Sequence, residues 1–119
     1  MNKVNLTEKF SLFNGFWEPK IVGELNNQFV KLAKLKGEFV WHDHENEDEL
    51  FMVIRGHLTI KLRDGDVELD EGELYIIPRG VEHMPVAENE VHVLMFEPKG
   101  TVNTGNVDSN KTIKDIESI

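Results

Sequence analysis

The chain has no cysteine. Disulfides, thiolate metal ligands and cysteine nucleophiles are therefore excluded, and the composition suits a reducing compartment, so a cytoplasmic protein is expected. It also lacks any apolar run near the ~18 residues that a membrane span requires. Met1 to Asn5 lead into a polar segment and not an apolar stretch, so no signal peptide is expected. Without one, the glycosylation pattern Asn5-Leu6-Thr7 reads as coincidence. Positive charge is the minority: 13 Lys and Arg stand against 22 Asp and Glu, a formal charge of −9. Such a surface repels phosphate backbones and anionic lipid headgroups, which argues against nucleic-acid and membrane partners. What is present, 119 residues of which 39% are hydrophobic, fills one core and offers no second.

Residues 5–13 read as a short helix, with Asn5 as cap, Glu8 three residues on, and Leu6, Phe10 and Phe13 on one face. From Phe29 the period changes to two. Strands are expected over Gln28–Leu35, Glu38–His44, Leu50–Arg55, Leu58–Leu62, Val67–Leu69, Leu74–Ile77, His83–Ala87 and Val91–Phe96. Gly, Pro and Asp clusters separate them, as at Asp64-Gly65-Asp66 and Pro78-Arg79-Gly80. Many short strands at near-even spacing point to an all-β sandwich or barrel. Residues 98–110 read as a polar surface loop, and Ile113, Ile116 and Ile119 share one face of a short C-terminal helix. The organisation expected is therefore 1–28 as helix and arm, 29–97 as the β-domain, and 98–119 as a polar segment ending in that helix.

Four residues carry chemistry. On a strand, His42 and His44 point to the same face, because side chains alternate. The Asn46-Glu47-Asp48 turn reverses the chain, and an antiparallel partner beginning at Glu49 brings its carboxylate beside the pair. His83 follows the Pro78-Arg79-Gly80 turn. Taken singly, each histidine reads as a solvated strand or turn residue; together, three imidazoles and a carboxylate suit one divalent transition ion (Fe, Mn, Ni, Zn, Co or Cu) and disfavour Ca and Mg.

The spacing Gly37-x4-His42-x-His44-x4-Glu49-x6-Gly56 closely resembles the first motif of the cupin superfamily, and Gly72-x5-Pro78-x-Gly80-x2-His83 resembles the second. The 15 residues between Gly56 and Gly72 match compact single-domain cupins of the cupin 2 type, many of which are called mannose-6-phosphate isomerase-like. Two departures exist: the first glycine lies one residue closer to His42 than usual, and Ala87 stands where the second motif often has Asn. The resemblance implies a jelly-roll β-barrel with short flanking N- and C-terminal helices, and a metal held by His42, His44, Glu49 and His83.

Strand parity places Glu38, Val40, Phe51 and Val53 on the ligand face. Glu38 is the candidate for a catalytic proton-handling group, with a strand-end surface carboxylate as the alternative. Phe39 and Trp41 fall on the opposite face, which together with Leu50, Met52 and Ile54 suggests a homodimer surface unless a terminal helix covers it. The function expected is that of a metalloenzyme acting on a small oxygenated molecule, as a dioxygenase, isomerase or lyase. The alternative is a non-catalytic module that binds or senses a small ligand.

Overall fold

Alternation of apolar and polar side chains builds the sheet, and the computed structural model describes residues 2–119 of it. One short helix, α1 (Leu6–Phe10), precedes seven strands: β1 (Lys20–Leu25), β2 (Gln28–Glu38), β3 (Glu49–Arg55), β4 (Leu58–Leu62), β5 (Gly65–Leu69), β6 (Leu74–Ile77) and β7 (His83–Pro98). All strand pairs are antiparallel. The path runs β1-β2-β7-β3-β6, while β4 pairs with β5 and with the start of β7. The 16-residue β7 thus serves two layers: His83 to Val86 pair with β4, and Val91 onward pairs with both β2 and β3. This is a jelly-roll sandwich, not the closed barrel expected, because β1, β5 and β6 each pair with only one named strand and leave edges.

The core lies between the layers. Ala33 and Leu35 of β2, Phe51 and Val53 of β3, Leu58 and Ile60 of β4, and Val91, Val93 and Met95 of β7 form one buried cluster. Ala87, at the position where Asn is common, is packed in that cluster and fully buried. The opposite face of β2 and β7 is covered by α1. Asn5 caps this helix, its Oδ1 accepting from the Glu8 N–H at 3.0 Å, and Phe10 and Phe13 bury against Leu32.

Several elements differ from expectation, each for a local reason. β1 lies within the stretch read as arm; Asn26, at φ 54°, turns it back onto β2 in a conformation that Asn tolerates. The two strands expected at 83–87 and 91–96 are one. Glu38–His44 is not a strand: with a register shift after Leu35 and Gly37 at φ 82°, β2 ends at the Glu38–Val86 pair, and beyond it the Phe39 N–H donates to the Pro85 carbonyl and His42 bridges to His83. The C-terminal helix does not form. Instead the chain's end takes the free edge of β1, with the Ile21 N–H donating to the Glu117 carbonyl and the Ile119 N–H to the Ile21 carbonyl. A short Ile-containing segment gains more by filling open ladder positions than by nucleating an isolated turn of helix.

Candidate metal centre

The bridge between His42 and His83 is the site's foundation. Each residue's backbone N–H donates to the other's carbonyl, at 3.0 and 2.9 Å. The two rings face the same space, with centroids 4.2 Å apart, and His44 joins them at 4.9 Å from His42. The loop carrying His44 is pinned to the Pro78–Gly80 turn, where the Gly80 N–H donates to the His44 carbonyl and the Arg79 N–H to Asp48 Oδ1. Glu49 arrives from the start of β3. Its strand partners are β6 and β7, not residues 38–44, so the expected hairpin pairing is corrected: Glu49 joins the histidines across the sandwich.

One donor atom from each of His42, His44, Glu49 and His83 lies within 4.8 Å of the others, and all four residues are buried. Glu49 Oε1 is 3.5 Å from His44 Nε2 and 3.4 Å from His83 Nε2. Two ligand atoms about 2.1 Å from a common ion, at an angle near tetrahedral, stand about 3.4 Å apart. The tautomers fit as well. His42 Nδ1–H donates to the Val40 carbonyl and His83 Nδ1–H to the Val81 carbonyl, which leaves both Nε2 lone pairs turned inward. Those Nε2 atoms, both nitrogens of His44 and Glu49 Oε1 are buried without any hydrogen-bond partner. Native proteins rarely bury so many unsatisfied polar atoms in one spot, and a metal ion would take one of these donors from each of the four residues, leaving the second His44 nitrogen outside the set.

Electrostatics ready His42 and Glu49 for a metal. Burial, with the neighbouring His83, lowers the His42 pKa to about 4, so its ring is neutral and able to ligate. Burial alone would raise Glu49, but the adjoining Glu97 carboxyl and the His44 and His83 imidazoles outweigh it and hold the carboxyl well below its usual range. For His44, burial acts downward, yet the nearby Glu49 carboxylate outweighs it and raises the pKa.

Behind Glu49 lies a pair that sequence reading missed. Lys31 Nζ and Glu97 Oε1 are 2.8 Å apart, and both side chains are almost wholly enclosed. Burial and the charge of Glu49 push Glu97 well above the carboxylate range, against the opposing pull of Lys31. The one signal available was parity: Lys31, Glu49 and Glu97 share the inward phase of Ala33, Phe51 and Met95.

Glu38 falls outside the site. It is exposed, opposite Val86 at the frayed end of β2, and does not line the cavity beside the cluster. Parity failed here because the chain leaves strand geometry at Gly37. For the same reason Phe39 does not face away from the histidines. It stacks on Trp17 at 4.7 Å, meets His42 edge-on, and walls the cavity together with Leu35, Phe51 and Met95. Trp41 is half-buried beneath the Arg63 guanidinium, 3.6 Å from its ring centroid. His57 is exposed, held between Glu68 and Asp70.

The segment expected to be a surface loop is instead a strap over the site. Thr101, Asn103 and Thr104 are buried, and Asn106 grips Asp43 twice: its Oδ1 accepts the Asp43 N–H, and its own N–H donates to the Asp43 carbonyl. Gly105, at φ 57°, makes the close approach; a Cβ there would stand 2.0 Å from the Asp43 carbonyl oxygen and 3.1 Å from His42 Cδ2. Gly105→Ala is expected to cost about 1–3 kcal/mol, read as a lowered urea midpoint at unchanged slope. A midpoint equal to wild type would show that the strap yields freely.

Comparison with known proteins agrees with this geometry. The family model described as the cupin domain matches residues 28–97. An uncharacterized protein of Bacillus subtilis, YdbB, is 38% identical over 63 residues, covering 52% of this chain; the chain spans only 56% of that curated relative. The crystal structure of a cupin-2 domain containing protein from Shewanella frigidimarina is 47% identical, with a TM-score of 0.80 over 81% of this chain and 94% of that one. Protein NMB1881 from Neisseria meningitidis is 26% identical, with a TM-score of 0.75 over 82% of this chain and all of that one. With both histidine motifs on one jelly-roll and the family match spanning β2 to β7, the chain belongs to the cupin family.

Proposed function

We propose that this cupin holds one divalent transition ion, of the Fe, Mn, Co, Ni, Cu or Zn group, on His42, His44, Glu49 and His83, and acts as a metalloenzyme on a small oxygenated substrate. The observation that carries the reading is the set of buried, partnerless donor atoms converging on one point. A bound ion of this class would supply Lewis acidity, or redox chemistry if it is iron, manganese or copper. The chain's own residues do the rest. The Val40 and Val81 carbonyls hold two rings in the ligating tautomer, Glu97 supports Glu49 from behind, and the apolar wall keeps water from the His42–Glu49 side.

Separate reconstitution with Fe(II), Mn(II), Ni(II) and Zn(II) tests this. One equivalent of ion is expected to bind, and turnover of small acids, phenols or thiols to follow. Dioxygen uptake with iron alone would define a dioxygenase; turnover with any of the ions would define an isomerase or lyase. Binding without turnover would favour the second reading, a ligand-binding module, and no binding would refute both.

A homodimer through the outer face of β3 and β6 belongs to the same proposal. Leu74 and Ile76 of the edge strand β6 are each about half exposed, beside half-buried Leu50 and Met52. No charge interrupts these four, and the edge of β6 is unpaired by any named strand. Sedimentation at micromolar concentration is expected to give twice the 13.7 kDa chain mass; a monomer would remove the dimer.

A further inference from the structure

We infer that the cavity against the metal cluster selects a small, uncharged, largely apolar molecule carrying an oxygen donor, and rejects phosphorylated and polyhydroxylated ones. This rests on the metal reading above and narrows its substrate class. Of the four cluster residues, only His42 and Glu49 line the cavity, so an occupant lies against that side. Apart from Asn103, the remaining wall is made by Trp17, Leu35, Phe39, Phe51 and Met95, with Ala33 and two prolines between them.

No Lys or Arg lines it. Lys31 is enclosed and paired with Glu97, and Lys34 is turned to the other side of β2, where its Nζ donates to the Phe13 carbonyl. A phosphate in the cavity would therefore face the Glu49 carboxylate with no cation but the metal to balance it. The one uncharged polar side chain, Asn103, is already engaged: its Nδ2 donates to the Lys111 carbonyl and its Oδ1 accepts from the Ile113 N–H. Sugar hydroxyls would be buried without partners, and such sites discriminate strongly against them.

Shape sharpens the choice. The void is about 30 Å³, so its occupant is slim, or a ring that displaces Phe39. Trp17 is the fixed side of the aromatic pair. Its backbone N–H donates to the Lys34 carbonyl and its Nε1–H to the Lys36 carbonyl, both at 2.9 Å, and its φ of 60° turns the indole over the cavity. Trp17 and Asn103 both lie outside residues 28–97, so these parts of the wall are additions to the matched family domain.

The test uses the full-length protein loaded with Co(II), whose visible spectrum reports ligands entering the metal's surroundings. Catechol, neutral at pH 7, is expected to perturb the spectrum with an affinity at least about tenfold above that for glucose 6-phosphate or inorganic phosphate. Phe39→Ala, which frees the space a ring must take, is expected to tighten catechol about tenfold while leaving Co(II) affinity within twofold. A preference for either phosphate, or catechol binding indifferent to Phe39→Ala, would overturn the inference and leave the metal site standing. Failure to bind Co(II) at all would overturn both.

Discussion

His83→Ala is expected to lower divalent-metal affinity by more than a hundredfold while the metal-free chain still folds. His83 is fully buried, and its Nε2 is one of the inward atoms without a partner. Its imidazole is set by the Val81 carbonyl, so the ligand is presented ready-oriented. Changes to outer residues that merely orient ligands already cost 10–100-fold in affinity; losing a ligand itself costs more. The fold tolerates the change because His83 pairs with His42 through main-chain atoms, which alanine keeps. Calorimetric titration measures the affinity, and thermal unfolding gives an independent reading. At a metal concentration a thousand times Kd, binding stabilises wild type by about 4 kcal/mol, and the variant should show almost none of this. Wild-type affinity in His83→Ala would remove that residue from the site.

Glu97→Leu is expected to destabilise the metal-free protein by about 3–5 kcal/mol, a large share of the stability of a domain this size. The substitution strands the Lys31 ammonium in a space where only 1% of the residue is exposed. Lys31→Met combined with Glu97→Leu should recover most of the loss, since neither charge is then left alone. Glu97→Gln, which keeps a polar partner for both Lys31 and Glu49, should cost much less. Chemical denaturation of the four proteins checks the set. A Glu97→Leu deficit under about 1 kcal/mol would mean that water or another group reaches Lys31.

What was legible in the sequence follows the range of each interaction. The turn chemistry, the alternation in β2 to β6 and the cap at Asn5 are local, and they read correctly. His42, His44, Glu49 and His83 were legible because four ligand-type residues at motif spacing stand out in a cysteine-free chain. How they meet was not: the route of Glu49 depends on which strands pair, and pairing is non-local. Glu38 and Phe39 were misplaced by one cause, strand parity carried past the irregularity at Gly37. The strap over His42 was hidden because Asn, Thr and Gly are ordinary loop residues until specific partners bury them. Lys31 and Glu97 are 66 residues apart, and each alone resembles a surface charge on its own strand.

The length of β7 has a consequence for how this protein tolerates change. One uninterrupted ribbon carries His83 near its start and Glu97 near its end. Its face pattern therefore acts as a ruler: a one-residue insertion or deletion midway, around Glu88 to Glu90, would flip the phase of everything downstream, sending Met95 and Glu97 outward. Length variation and reporter tags belong elsewhere, at the exposed Arg63–Asp64 turn between β4 and β5, where no such phase is carried.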